Sequence, residues 1–455
     1  MRPAVFKTVE VLRKQCLVCS IRTRSRQKVR KDSDKTLSNS NQLTLELPEQ
    51  DTVIEDVISF NDFDKKTIRG LTEISVGDEI KRVETFVNEF WTSKQRAANS
   101  LHEISFRACF KPQLPRFFIE RMSQPGDLIY DPFAGRGTTL IESALLGRIP
   151  VGCDVSPLSP IMTFPRLNPP IIEEVEERLT SIDLSSSTSM PDELLVFYHQ
   201  ETLNQICSLR SYFLNRQRDG NLDNVDMWIR LVATNRLTGH STGFFSVYTL
   251  PPNQAVSVES QQKINVKREQ VPPLRDVKKI ILKKSKSLLK ECNEEVRWQL
   301  KSVASRARML TQTADAIPEI KARSIKLVVT SPPFLDVVNY AQDNWLRCWF
   351  CGIDPKVVPI TMSKKVEDWQ AVMTKVFKEL KRVLKPGGHV AFEVGEVRHG
   401  KVKLEEAVMP CGVNAGLEPL FVLINDQKFT KTGNVWGVDN NEKGTNTNRI
   451  VVFRK

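Results

Sequence analysis

The chain has 455 residues, 40% of them hydrophobic and 26% charged, and a formal net charge of +12. That balance is globular and allows two or three domains, or one domain with a large insertion. No apolar run reaches the roughly 18 residues of a membrane-spanning helix, so a soluble protein without a membrane partner is expected, and nine cysteines scattered from 16 to 411 suit a reducing, intracellular compartment better than a disulfide framework.

The charge is unevenly placed. Residues 1–31 carry ten Lys/Arg against the single acid Glu10, and residues 261–310 carry fourteen basic against five acidic side chains, so each stretch holds +9 and the remainder sums to −6. Two basic zones on a mildly acidic body point to a polyanionic partner, most simply nucleic acid.

In chain order, residues 1–50 are basic and then Ser/Asn-rich (KTLSNSNQ). Residues 1–74 as a whole are expected to form a basic, mostly disordered extension. The first thirty, rich in Arg and poor in acids, fit a mitochondrial presequence, a nuclear address or a DNA-binding tail. Cys16 and Cys19 have the spacing of a zinc half-site, but the other such pair, Cys348 and Cys351, lies far away among aromatic residues. No His pair sits at finger spacing, and no metal is expected.

From about 75 the pattern KRVETFVNEFWTSKQRAANSLHEI predicts helix, and FKPQLPRFFIERM starts at prolines and continues as an amphipathic helix. DLIYDPFAGRGTTLIESALLGRIPVGCDVSP predicts a strand at 127–131, a glycine turn, a helix from about Thr138 to Leu146, and a strand at 149–153 that ends at Asp154. This is a βαβ unit, and it implies a parallel sheet. Residues 168–310 break the rhythm with helices, Pro pairs and the second basic stretch. Then SIKLVVTS, HVAFEVGEV, EPLFVLIND and RIVVFRK predict strands, with an amphipathic helix in VEDWQAVMTKVFKELKRVL and a turn at KPGG. The expected architecture is α/β: a doubly wound, Rossmann-like sheet in two parts, 75–167 and 311–455, around a helical or irregular insertion at 168–310.

Gly135 and Gly137 let the backbone turn tightly and approach a ligand where strand gives way to helix. Asp131 and Asp154 end their strands at the carboxyl edge, where open α/β sheets bind ligands, and Asp154 is placed for a ribose. The turn lacks both the longer dinucleotide pattern and a Gly-Lys-Ser/Thr, so a triphosphate does not fit. A nucleoside-bearing ligand with a cationic end does, and S-adenosylmethionine has a sulfonium, an ammonium, a carboxylate and a ribose. Asp131 is then expected near the ammonium.

With DPFAGRGTT read alongside TSPPF at 330–334, the chain resembles the amino-methyltransferases of DNA. The resemblance covers about 100–165 and 311–455. It implies that Phe133, Ala134, Gly135, Gly137 and Thr138, with the strand-end acids, bind S-adenosylmethionine. FKPQLP resembles the segment that helps hold its methionine end, here Phe110, Lys111 and Pro112. TADAIPEI resembles the element facing its adenine, here Asp315 and Ala316. Ser331-Pro332-Pro333-Phe334 resembles the catalytic motif. Ser in its first position is similar to the cytosine-N4 branch, whereas Asp or Asn is typical of adenine-N6 enzymes. The motif order resembles the group with its target-recognition region between the two motifs. Arg136 departs from the family, which usually has a small residue between the glycines; a contact to solvent or substrate phosphate is one reading, and a slight perturbation of cofactor binding is the other.

The chemistry fits these residue types. An exocyclic amine is a poor nucleophile because its lone pair is delocalised into the ring. The Ser331 hydroxyl and the Pro332 carbonyl can accept its two hydrogens, Pro333 stiffens the turn, and Phe334 offers a stacking face worth roughly 1–3 kcal/mol to a base turned out of the duplex. In the insertion, TNRLTGHSTGFFSVYTLPPNQAVS can read base edges or stack, and KKIILKKSKSLLKE predicts a helix with one packed face and Lys279, Lys283, Lys284 and Lys286 offered to phosphates. The expected activity is site-specific methylation of cytosine N4 in DNA. The alternatives are adenine-N6 methylation and a silent DNA-binding protein on the same fold.

Overall fold

The structure is a computed structural model, and it describes residues 49–455 apart from 77–78, 93–97, 107–108, 186–188, 251–253, 334–339, 360–364, 395, 398–401 and 427–446. Cys16, Cys19 and Phe334 therefore lie outside the described residues. The strands are β1 (Ile68–Val76), β2 (Glu79–Asn88), β3 (Leu128–Asp131), β4 (Ile149–Asp154), β5 (Arg308–Thr311), β6 (Ile325–Thr330), β7 (Leu384–Val394), β8 (Glu396–Val397), β9 (Val402–Lys403), β10 (Glu418–Asp426) and β11 (Thr447–Arg454). The helices are α1 (Glu49–Ser59), α2 (Gln113–Met122), α3 (Thr138–Leu145), α4 (Leu158–Leu167), α5 (Ile172–Ser181), α6 (Gln200–Arg218), α7 (Asn224–Thr234), α8 (Val258–Lys267), α9 (Val277–Leu288), α10 (Glu294–Ala304), α11 (Tyr340–Cys351), α12 (Val366–Val383) and α13 (Leu404–Asn414).

Among the described residues the main sheet has the order β1-β2-β10-β11-β7-β6-β3-β4-β5, and β8 pairs only with β9. β3 runs parallel to β4 and β6, β4 to β5, and β6 to β7. β11 is antiparallel to both its neighbours, β7 and β10. The chain leaves β3 outward through β4 and β5, then returns to the other side of β3 with β6 and β7. Such a reversal opens a crevice beyond the carboxyl ends of the strands, between β3 and β6. Both faces of the sheet are covered, which is why its central strands read as unbroken apolar runs. Val328, Val390 and Phe392 pack with α12 and α13 on one face; Leu327, Val329 and Ala391 pack with α1 and α2 on the other.

Three expectations change. The extension does not reach 74: Glu49–Ser59 is helix, and Ile68–Val76 is a strand paired along its length with β2. The segment expected to turn helical near 75 is β2 over Glu79–Asn88. Its apolar spacing fits either period, and parallel pairing from Glu84 to Asn88 with β10 decides for strand. KPGG is not a separate turn between helix and strand: it lies within β7, where the pairing with β6 slips between Ile325 and Leu327 and Gly387 takes φ 69°.

The insertion is not a detached module. Its Leu203, Phe213, Trp228, Ile281 and Leu288 share one apolar cluster with Ile141 of α3, Met162 of α4 and Phe350 of α11. Helices α5–α10 thus extend the layer that already covers α3 and α4, and β5 completes the sheet edge beside β4.

Candidate active site

A cavity of about 240 Å³ opens at the carboxyl ends of β3, β4, β5 and β6. Of the residues expected to bind the cofactor, Phe110, Phe133, Ala134, Gly135, Thr138, Asp154 and Asp315 line it, and Ser331 and Pro333 of the motif expected to be catalytic line it too. Residues nearly 200 positions apart therefore face one space.

The glycine turn is shaped by backbone geometry. Gly135 and Gly137 both adopt positive φ, 52° and 78°, where a side chain is strained. A Cβ on Gly137 would also fall 2.3 Å from Thr163 Oγ1, so α3 and α4 approach closely only because that position is bare. Gly137 shapes the turn without lining the cavity. Ser159 Oγ donates to the Gly135 carbonyl.

Asp154 anchors the turn to the next strand. Its Oδ2 accepts from Gly135 N and its Oδ1 from Ser156 N, both at 2.8 Å. Each oxygen keeps lone pairs for a further donor, so the carboxylate is a fixed, oriented acceptor. Burial raises its pKa, and those two backbone bonds oppose the rise.

Asp131 does not sit where the sequence suggested. It is 1% exposed and does not line the cavity. Thr330 Oγ1 donates to its Oδ1 at 2.6 Å, and Phe133 N donates to the same oxygen at 3.1 Å. The carboxylate thus ties the end of β3 to the end of β6. Burial pushes its pKa up to about 6, with the Thr330 and Phe133 bonds pulling the other way.

Other expected residues are displaced for local reasons. Pro112 caps the start of α2, and neither it, Lys111 nor Ala316 lines the cavity. Lys111 is held largely out of water, and its ammonium pKa is lowered by that burial and by Arg136. Pro332 is buried beneath the motif. Arg136 does not reach for solvent: it is 4% exposed and donates to Thr138 Oγ1, His102 O and Ile104 O.

The Ser-Pro-Pro turn has two neighbours that sequence reasoning missed. Trp369 Nε1 of α12 donates to the Pro333 carbonyl at 3.0 Å, fixing the turn from outside. Glu393, 8% exposed on β7, accepts a hydrogen bond from Asn448 Nδ2 at 2.6 Å and lies beside the Ser331 hydroxyl. Burial raises the Glu393 pKa, and the Ser331 and Asn448 bonds counter it. Ser331 itself lines the cavity. The signal was present in HVAFEV, an acid inside a buried apolar run, which needs a partner.

On α9, Lys279, Lys283 and Lys286 are exposed along one stripe with Lys290, while Val277, Ile281, Ser285 and Leu288 pack inward. Lys284 is a correction. Its position on the helix turns it toward Glu103, 3.7 Å away, and its side chain is only 14% exposed; burial lowers its pKa to about 8. The aromatic residues expected to stack on bases are mostly occupied: Phe244 and Phe245 are buried, Arg236 lies 4.0 Å over the Phe244 ring, and Arg268 lies 3.8 Å over Tyr248.

A Type II methyltransferase of Geobacillus stearothermophilus, M.BsoBI, is 24% identical over 307 residues, 61% of this chain and 58% of that protein. M.MjaII of Methanocaldococcus jannaschii, another Type II methyltransferase, is 31% identical over 97 residues, 21% of this chain and 18% of its own. The chain thus spans less than two thirds of the relatives it matches. Among solved structures, a TehB-like SAM-dependent methyltransferase from Corynebacterium glutamicum matches with 9% identity and a TM-score of 0.28, over 75% of this chain and 86% of that one. Residues 21–158, which hold the glycine turn and both strand-end acids, match the family model described as DNA methylase.

Proposed function

We propose that this protein transfers a methyl group from S-adenosylmethionine to the exocyclic N4 of cytosine in DNA. The observation that carries the reading is Ser331. It lines the same cavity as Asp154 and the glycine turn, with the buried carboxyl of Glu393 beside it. The DNA methylase match over residues 21–158 supports the DNA part.

The cavity suits the cofactor. Asp154 offers a fixed acceptor pair for a ribose diol, Val155, Val372 and Val376 give an apolar wall for a flat ring, and Asp315 stands at the exposed rim. When bound, S-adenosylmethionine supplies an electrophilic methyl group. The protein residues do the rest by alignment. Ser331 Oγ accepts one amino hydrogen of the base, the Pro332 carbonyl is assigned the other, and the nitrogen lone pair is freed to point at the methyl carbon. Holding reactants in this geometry supplies most of the acceleration. The exposed lysines of α9 are assigned to DNA phosphates. A protein of this kind works where DNA is kept, in a nucleoid, a nucleus or a mitochondrion.

The test is to incubate the protein with labelled cofactor and DNA, digest, and separate the nucleosides. Label in N4-methylcytosine is expected. Label only in N6-methyladenine moves the protein to the adenine branch and refutes the reading of Ser331; label only in RNA refutes DNA as substrate. DNA binding without any cofactor binding marks a silent DNA-binding protein.

A further inference from the structure

We propose that Arg136, the residue between the two turn glycines, is the carboxylate-binding group for the amino-acid end of the cofactor. The proposal rests on the cofactor reading above.

Two guanidiniums lie buried behind the glycine turn. Arg136 is 4% exposed and Arg166 is 0% exposed. Arg136 donates Nε to Thr138 Oγ1 at 3.1 Å, and Nη1 to His102 O at 3.3 Å and to Ile104 O at 2.8 Å. Arg166 donates to Met162 O, to Leu101 O and to the carbonyl of Arg136 itself. Every one of these acceptors is neutral. The buried carboxylate of this cluster, Glu142, is already committed: Oε1 faces His102 Nε2 at 2.8 Å and Oε2 faces Arg116 at 3.4 Å.

Buried cations without a counterion are among the costliest arrangements in a protein. Here they adjoin an open cavity, which Arg136 lines. Among the described residues its Nη2 makes no hydrogen bond. Among the described residues neither guanidinium donates to a carboxylate, and the cavity is the open side from which an anion can reach Arg136. A phosphate-bearing ligand is disfavoured because no Gly-Lys-Ser/Thr accompanies the turn. An amino-acid carboxylate matches the planar guanidinium. The excess positive charge, costly in the empty protein, becomes a selective attraction for that end of the ligand.

The experiment is calorimetry with two ligands on wild-type protein and on Arg136→Gln. One ligand is S-adenosylhomocysteine. The other is S-adenosyl-3-thiopropylamine, which keeps the adenosyl thioether and the amine and lacks only the carboxylate. Wild type should prefer the carboxylate-bearing ligand by about 100-fold, the size of a charge-assisted hydrogen bond. In Arg136→Gln the preference should collapse to about 5-fold or less, with affinity for the amine ligand nearly unchanged. A preference that survives at wild-type size, or an equal loss of both ligands in a folded variant, overturns the proposal and leaves Arg136 a brace for residues 102–104. Should Arg136→Gln fail to fold, Arg136→Lys decides, because it keeps the charge and loses the fork: a drop in preference of about 5-fold or more supports the proposal, and an unchanged preference refutes it. If wild type binds neither ligand, the cofactor reading itself has failed.

Discussion

Asp131→Asn separates two roles that the sequence could not separate. The wild-type carboxyl titrates at about 6, against an ordinary 3.8, because it is buried. The raised value means that the folded chain holds the proton more tightly than the unfolded chain does. Its contribution to stability is present below about pH 4 and is lost as pH rises to 6; above that the folded protein carries the full cost of a buried charge. A difference of about 2 pH units corresponds to about 3 kcal/mol. Asparagine can keep the network. Its oxygen can accept from Thr330 Oγ1 and Phe133 N, as the carboxylate does. Its amide can donate to Thr139 Oγ1, whose own proton is directed to the Val329 carbonyl. Asp131→Asn should therefore match or exceed wild-type stability at pH 8, by up to about 3 kcal/mol, and lose that advantage at pH 4. Denaturant melts at the two pH values measure it, with S-adenosylhomocysteine binding measured beside them. A variant destabilised by more than about 1 kcal/mol at pH 8 refutes the buried-seam account. A tenfold loss of cofactor affinity in a stable variant would restore the ammonium contact that the sequence suggested.

Ser331→Ala should lower turnover by about 100-fold or more, the usual cost of one preorganised polar contact to the reacting group, while cofactor affinity stays unchanged; single-turnover methyl transfer checks it, and an unchanged rate removes Ser331 from the chemistry. Replacing Lys279, Lys283 and Lys286 together by Ala should reduce the log–log salt slope of DNA binding by about 0.9 for each phosphate that is no longer neutralised. Lys284→Ala, which removes the ion pair to Glu103, should leave the slope where it was. Gly137→Ala should cost about 1–3 kcal/mol and weaken cofactor binding, since φ 78° and the 2.3 Å approach to Thr163 Oγ1 must both be relieved; a melting temperature equal to wild type contradicts the close-approach role.

Much of the site was legible because its parts are local. A strand–glycine–helix turn, an acid one strand further on and a Pro-Pro turn each follow from residues a few positions apart, and Gly135, Asp154 and Ser331 took the places their neighbours imply. What depends on side-chain direction was not legible. DLIYDPFAG leaves Asp131 free to point at ligand or seam; the Thr330 hydroxyl 2.6 Å away, 199 residues later in the chain, settles it. Glu393 and Trp369 became part of the motif only through strand pairing and helix packing. The lysines of α9 were chosen by charge, but helical rotation gives Lys284 to the interior and leaves the other three in water.

The sequence by itself determined the parallel α/β sheet, the place of the glycine turn and the edge where the two motifs meet, because hydrophobic period and turn chemistry act over short distances. The tertiary structure decided that β1 and β2 extend the sheet, because an apolar spacing compatible with helix or strand is resolved only by the partner it pairs with. It also decided that the insertion shares the core, and that Arg136 is buried among neutral acceptors. Sequence counts charges, but which of them are left without a counterion depends on what the fold packs beside them.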